Sequence, residues 1–126
     1  MNDEERLERG LDSFKKCYGD VFPAPTTVDP DGFSGMTMRG LFNDVWSRPQ
    51  LGFRERRFVT LGALAGLGAN PMNFEVHAKS ALKNGEITPD ELREVAIMAV
   101  YYCGYGRASG LPEVAERCIR EAGPKG

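Results

Sequence analysis

Residues 44–106 read DVWSRPQLGFRERRFVTLGALAGLGANPMNFEVHAKSALKNGEITPDELREVAIMAVYYCGYG, and this stretch decides the fold. It holds two long segments of apolar or small residues, 58–67 and 95–102. Thr88 and Glu91 have the spacing of a capping box, with a proline at the first helical position between them. No run of residues alternates between apolar and polar as a half-buried strand would. The stretch therefore predicts helices packed on helices.

Helix signals continue on both sides of this stretch. Apolar residues spaced by four, three and four positions predict a first helix over 3–18, which Gly19 ends, and the proline- and glycine-rich segment 19–35 predicts a loop. Further helices are predicted over 35–47 (with Met38, Leu41, Phe42, Val45 and Trp46 on one side), over 53–67, from Asn70 and Pro71 to Gly85, over 88–102, and from Pro112 to Gly123 and Pro124. The prediction is an all-α bundle of about six helices: a single domain over 1–126, with an N-terminal helix (1–18), a loop (19–35) and a helical core (36–122).

The composition is that of a soluble globular chain. Of its 126 residues, 41% are hydrophobic and 27% are charged, and the formal net charge is −2 with a pI near 5.5. This balance argues against nonspecific binding to nucleic acid or to an anionic membrane surface. The N-terminal MNDEERLERG is charged where a signal peptide would be apolar, and the apolar run 58–69 is shorter than the roughly 20 residues of a membrane span. We therefore expect a cytoplasmic protein.

Three cysteines, Cys17, Cys103 and Cys118, are scattered along the chain. An odd, scattered set favours reduced thiols over a disulfide framework. Structural zinc sites place their ligands in close pairs, and the chain has one histidine and no Cys-x-x-Cys pair. We expect no metal site.

His77 and an arginine cluster are the candidates for chemistry. His77 is the one side chain whose ordinary pKa lies near neutral pH, so it is the candidate for proton transfer there. It lies beside the apolar stripe of its helix, where a structural histidine is the alternative interpretation. Arg54 and Arg57 fall on one face near the start of another helix, and Arg56 points elsewhere. These arginines either pair with acidic residues of neighbouring helices or subunits, or bind a carboxylate with their forked donors.

The apolar segments also bear on assembly. The helices over 53–67 and 88–102 carry apolar or small residues on all sides over much of their length, so we expect both to be buried. Four short amphipathic helices are too few to cover them, which predicts a homo-oligomer. Tyr101, Tyr102 and Tyr105 either line a pocket or fill the core, and the core interpretation is favoured.

The segments DVWSRPQL, VTLGALAGLG, H…AL.NG, ITPDELREV and YYCG, in this order and spacing, resemble the carboxymuconolactone decarboxylase family over about residues 42–106. The resemblance implies the helical alkylhydroperoxidase D-like fold and assembly as a homotrimer or homohexamer. It also implies a γ-carboxymuconolactone decarboxylase, which acts without a cofactor on a small lactone carboxylic acid in the catabolism of aromatic compounds.

The resemblance further implies roles for individual residues. His77 would donate or accept the proton that is exchanged at carbon. The substrate-binding residues that we expect, with the arginines holding carboxylate, are Arg54, Arg56, Arg57, Trp46, Asn73 and Tyr102.

Departures from the family pattern keep alternatives open. The peroxidase-like branch carries CxxCxxxH, and Asn70 and Asn73 take the places of its two cysteines before His77. A thiol peroxidase needs a reactive thiolate and a resolving thiol, so that activity is disfavoured. Asn73 also replaces a glutamate of the decarboxylase branch, and Gly106 replaces its proline. The alternatives are a related cofactor-free lyase or isomerase acting on another acidic, enolisable metabolite, and a noncatalytic helical oligomer that binds a ligand.

Overall fold

The computed structural model describes residues 1–68 and 71–123, and this part of the chain contains helices and loops without a strand. The predicted all-α fold is confirmed. Across the same residues, none of the helices is both long and apolar enough to cross a membrane. The elements are α1 (Asp3–Tyr18), α2 (Phe33–Met36, continued by a π-helix over Thr37–Val45), α3 (Phe53–Leu67), α4 (Pro71–Lys83), α5 (Pro89–Cys103), α6 (Tyr105–Ala108) and α7 (Leu111–Ala122).

The predicted start and stop signals act as expected. Gly19 ends α1 with a φ of 55°, and its N–H donates to the Lys15 carbonyl oxygen over 2.8 Å. Thr88 and Glu91 form the capping box of α5, in which the Glu91 N–H donates to Thr88 Oγ1 over 3.1 Å. The expected Asn70 cap and the expected stop at Pro124 lie outside the described residues. The single-turn α6 is a structural finding, because four residues are too few for a helical period to show in sequence.

The chain forms two compact units, one over Met1–Phe53 and one from Arg54 onward. The single domain over 1–126 stays a prediction. In the first unit, α1 packs against the π-helix. A Cβ at Gly10 would overlap the Met38 carbonyl oxygen, so glycine is what lets the two helices approach this closely. The buried apolar residues of this unit are Phe14, Cys17, Met38, Phe42 and Trp46.

The π-helix changes which residues of the second predicted helix point inward. Three residues spaced by four positions, Met38, Phe42 and Trp46, are buried. Leu41 and Val45, which the sequence predicts on the same side, are 43% and 45% exposed. In a π-helix the N–H bonds to the carbonyl five residues back, as the Trp46 N–H does to Leu41 over 2.9 Å. The turn is therefore wider than 3.6 residues, and a spacing of four keeps side chains aligned. The prediction for Leu41 and Val45 is wrong because it assumed α-helical periodicity.

In the second unit, α7 packs against α4 and α5, and α6 packs against α5. Arg107 of α6 caps the C-terminal end of α3, because its Nη1 donates to the Leu67 carbonyl oxygen over 2.8 Å. An ion pair of 2.7 Å between Lys79 and Glu121 joins α4 to α7. The fully buried apolar residues at the centre of this unit are Leu61, Ala78, Ala81, Leu92, Ala96, Ala115 and Cys118.

The expectation that α3 is a fully buried central helix is wrong for the single chain, whereas the expectation that this chain cannot cover α3 and α5 on all sides agrees with the structure. The buried residues of α3 lie four apart on one stripe, and Val59 on another side is 64% exposed. Tyr101, Tyr102 and Tyr105 are 72%, 84% and 63% exposed, so the core interpretation of these tyrosines is also wrong. The neighbouring helices of this unit cover one side of each apolar helix, which leaves the other sides as apolar surface.

Candidate functional site

A turn at the end of α4 places a carboxylate beside the helix. Gly85 has a φ of 72°, its N–H donates to the Leu82 carbonyl oxygen over 3.1 Å, and the Glu86 N–H donates to that of Ala81 over 2.9 Å. These are the two bonds of a Schellman motif, whose left-handed residue is favourable for glycine. The turn reverses the chain, and the Glu86 side chain becomes largely buried, with 12% exposed.

Arg57 of α3 is the counterion of this carboxylate. Its side chain is fully buried, its Nε donates to Glu86 Oε1 over 2.7 Å, and its Nη2 lies 3.3 Å from Oε2. Asn84 Nδ2 also donates to Glu86 Oε2, over 3.2 Å. A buried charge is tolerated in a fold when it is paired and hydrogen-bonded. The two-point contact therefore explains how an arginine can lie in the interior of this unit.

His77 of α4 completes a buried group that we call the Glu86–Arg57–His77 cluster. Arg57 Nη1 lies 2.8 Å from His77 Nδ1. Because arginine has donors and no acceptor, Nδ1 accepts this bond, and the neutral ring carries its proton on Nε2. Burial, and after it the positive charge of Arg57, lower the pKa of His77 to about 4. At neutral pH the chain therefore holds a neutral imidazole in a defined tautomer.

Arg54, one turn before Arg57, has different surroundings. Its Nη1 and Nη2 donate to the two carboxylate oxygens of Glu91 over 3.0 and 2.7 Å, and Nη1 also donates to the Glu86 carbonyl oxygen over 2.8 Å. The Arg54–Glu91 pair is substantially exposed. The hydrogen bonds that Glu91 accepts from Arg54 and Thr88 lower the pKa of its carboxyl group to about 2.

The structure thus brings together two of the predicted site residues, His77 and Arg57, and Arg54 bonds to the backbone of the same cluster at the Glu86 carbonyl oxygen. The other predicted residues have separate surroundings. Arg56 is half-buried on α3, and Asn73 is exposed on α4 in the turn before the histidine. Tyr102 is exposed on α5. Trp46 belongs to the first unit, where it is buried with its ring edge-on to Phe53 at a centroid distance of 5.2 Å. The substrate-binding roles of these residues stay predictions.

An open groove of about 640 Å³ lies between α3 and α5. Its walls are mainly apolar and include Phe58, Val95, Met98 and Tyr102, while acidic residues from the first turns of α5 line it as well. The cluster residues are not part of its lining. The lining of the groove provides carboxylates but neither an arginine nor the histidine, so it lacks the donors that would hold a carboxylate substrate. The groove and the cluster are therefore separate features of this unit.

Metal-ligand sets are absent from the part of the chain that the structure describes, where no three His, Cys, Asp or Glu side chains come together to hold an ion. Cys17 and Cys118 are buried thiols, and Cys103 is half-buried. Burial raises the pKa of the Cys118 thiol, which makes it a poorer nucleophile at neutral pH.

The cluster contains one residue that the sequence reasoning missed, Glu86. A carboxylate directly after a helix-ending glycine matches no catalytic motif. The signal that could have found it is physical. An arginine within an apolar helix needs a buried counterion, and residues 86–91, EITPDE, supply three carboxylates just after the histidine helix.

The sequence profile of the carboxymuconolactone decarboxylase family matches residues 32–117, more than half of the chain and the whole of the cluster. The chain belongs to the carboxymuconolactone decarboxylase family. The resemblance seen in the sequence is thereby confirmed. The 4-carboxymuconolactone decarboxylase of Acinetobacter baylyi is 28% identical over 127 residues, which cover 98% of this chain and 93% of the relative.

A second relative matches a shorter part of the chain. The nitrosuccinic acid decarboxylase npaB of Metarhizium robertsii is 33% identical over 82 residues, which cover 65% of this chain and 56% of that protein. No solved structure matches the chain with significance.

Proposed function

We propose that this family member is a cofactor-independent decarboxylase of a small carboxylic acid, with γ-carboxymuconolactone, a lactone acid of aromatic catabolism, as the first candidate substrate. The observation that carries the proposal is the buried contact of 2.8 Å between His77 Nδ1 and Arg57 Nη1, within the region that matches the family. Both relatives bear the name of a decarboxylase.

Decarboxylation of such an acid requires few protein side chains. The bond between the carboxylate carbon and its neighbour breaks, CO₂ leaves, and the electron pair enters a conjugated carbonyl to give an enolate. A proton then forms a C–H bond at the carbon, with solvent as its final source. The protein must hold the substrate, exclude water, stabilise the enolate oxygen and deliver the proton. A neutral imidazole with its proton on Nε2 suits the third task, because it can donate a hydrogen bond to the developing oxyanion.

His77 also fits the delivery of the proton once substrate is bound. In the chain alone its pKa is lowered to about 4, so the ring is neutral near pH 7. A substrate carboxylate beside the ring raises this pKa and favours the imidazolium, in which Nδ1 takes up a proton and Arg57 Nη1 gives up its hydrogen bond to that atom. The pH dependence of kcat/KM, which reports the free protein, should then differ from that of kcat, which reports the complex.

We propose that Arg54 and Arg56 hold the substrate carboxylate, while Arg57 orients the histidine. The donors of Arg57 already bond to Glu86 and His77. The Arg54 side chain is 44% exposed and can exchange the Glu91 carboxylate for that of a substrate. Asn73 and Tyr102, exposed on α4 and α5, and Trp46 of the first unit are the further substrate contacts that we propose.

The experiment is an assay of the purified chain with γ-carboxymuconolactone and a series of related lactone acids, in which CO₂ release and the product are followed by NMR. We expect CO₂ release that is largely lost in His77→Gln. A rearranged product without CO₂ would instead indicate an isomerase. A ligand-induced thermal shift without any turnover would indicate a noncatalytic binding protein, and no response to any of the acids would contradict the proposal.

We further propose a homotrimer or homohexamer and a cytoplasmic location. The exposed apolar residues of α3 and α5, among them Val59, Met98 and Tyr101, support assembly, because a surface of this kind is typical of a subunit interface. Light scattering at micromolar concentration should give three or six times the chain mass of 13.9 kDa. A monomeric mass would contradict assembly and leave the proposed reaction untouched.

A further inference from the structure

The geometry of Arg57 separates the two sides of its guanidinium. Glu86 occupies the edge formed by Nε and Nη2, at 2.7 and 3.3 Å, and Nη1 points from the other side to His77 Nδ1 at 2.8 Å. The guanidinium is planar and rigid, so an anchor on one edge sets the direction of the remaining donor. Asn84 holds Glu86 in turn, through the 3.2 Å bond to Oε2.

We propose that Glu86 is a positioning residue, whose carboxylate holds the Arg57 guanidinium so that Arg57 Nη1 keeps His77 as the tautomer with its proton on Nε2. The assignment deepens the proposed function and rests on it for the catalytic consequence. Glu86 acts on the ring through Arg57, whose Nε and Nη2 donate to its carboxylate. Through Arg57, the Glu86 carboxylate therefore selects which histidine nitrogen can donate a hydrogen bond.

The chemical reason is the acceptor inventory of the two side chains. A carboxylate offers two acceptor oxygens to the Nε and Nη2 donors, whereas a glutamine offers one acceptor and one NH₂ group. Glu86→Gln therefore sets a donor against a donor on the edge that orients Arg57. The guanidinium loses its two-point anchor, and Nη1 is no longer held towards His77 Nδ1.

The test uses the fact that the chain has one histidine. In the full-length ¹⁵N-labelled protein at neutral pH, long-range ¹H–¹⁵N spectra show the two imidazole nitrogens of His77 without overlap from any other histidine. We expect Nε2 to be protonated and Nδ1 unprotonated in the wild type. In Glu86→Gln we expect the two nitrogens to shift towards each other, as the ring exchanges between tautomers. A wild-type ring protonated on Nδ1, or an unchanged spectrum in Glu86→Gln, would overturn the proposal.

Glu116→Gln is the matched control. It removes one carboxylate from another arginine pair, Arg93–Glu116, and this pair joins α5 to α7. A general effect of losing an ion pair would change the His77 spectrum in both variants, and that result also counts against the proposal. If Glu86→Gln does not fold, Glu86→Asp keeps the charge pair but shortens the side chain, so that its carboxylate no longer reaches Arg57 as that of Glu86 does. In that variant, an unchanged His77 spectrum would overturn the proposal, and a shift of the two ring nitrogens towards each other would support it.

Kinetics separate this proposal from the proposed function. With a substrate in hand, Glu86→Gln should lower kcat by roughly 10- to 100-fold, the size of effect that loss of an orienting hydrogen-bond partner has at metal-bound histidines. KM should stay close to the wild-type value, because Glu86 is not proposed to touch substrate. If no lactone acid is turned over but the tautomer responds as expected, the proposed function fails and the positioning role stands. If a lactone acid is turned over but Glu86→Gln leaves the tautomer unchanged, the positioning role fails and the proposed function stands.

Discussion

Arg54 and Arg57 lie three residues apart on α3, and each pairs with a carboxylate from residues 86–91, yet the two ion pairs differ in burial. The Arg57 side chain is fully buried and bonds to Glu86 and His77. The Arg54 side chain is 44% exposed, and its Glu91 partner is 36% exposed.

The difference shows that ion pairing alone does not make a site. An exposed pair is screened by water and salt, and its partners can be exchanged. A buried pair depends on both members, since removal of one leaves an uncompensated charge in the interior. On α3, the exposed arginine is therefore suited to bind a ligand, and the buried arginine is suited to hold a neighbouring side chain in place.

The largest effect is expected on the buried side, in His77→Gln. If the ring transfers a proton in the rate-limiting step, turnover falls by roughly 10²–10⁴-fold. Steady-state kinetics on the accepted acid measure this, and circular dichroism checks the fold. Turnover at the wild-type rate in a well-folded His77→Gln protein would leave the histidine with a structural role.

Arg57→Gln should lower the free energy of unfolding by about 3–5 kcal/mol, because Glu86 keeps its buried carboxylate without a cation. Urea unfolding at neutral pH gives the value. Arg54→Gln is the matched variant, with the same chemical change on the same helix. An equal loss of stability in the two variants would break the comparison between the buried and the exposed arginine.

Acid should destabilise the protein through His77. The folded pKa of about 4 lies below the ordinary 6.5, so between these values the unfolded chain binds more protons than the folded chain, and stability falls as pH falls. At 1.36 kcal/mol for each pKa unit, the His77 contribution to this loss is about 3 kcal/mol, complete near pH 4. The measurement is the free energy of unfolding in urea at several pH values from 7 to 4. It should fall less with falling pH in His77→Gln than in the wild type, and an identical fall in both proteins would disprove the buried neutral ring.

The smallest effect on stability is expected for Arg54→Gln, and its main effect should be on substrate affinity. If Arg54 holds the substrate carboxylate, KM rises while kcat changes little. Added salt should also raise the KM of the wild type, because the Arg54 side chain is exposed to solvent and its charge is screened. A fall in kcat at unchanged KM would move Arg54 into the group that orients the reacting atoms.

The sequence by itself determined the long α-helices of this protein and its family. The capping box of Thr88 and Glu91 and the stop at Gly19 are local, because each forms between residues close in the chain. The spacing of His77 before Asn84 and Gly85 is local as well, and it belongs to one of the segments whose order and spacing identified the family.

The tertiary structure decided which arginine is buried and what it bonds to. Arg57 meets Glu86 and His77 across 29 and 20 positions of sequence, where no helical or turn periodicity applies. The π-helix, which buries residues spaced by four and exposes Leu41 and Val45, was equally beyond a pattern that assumes 3.6 residues for each turn. Local hydrogen bonds are written in neighbouring residues, whereas burial and long-range charge pairing depend on how the helices pack.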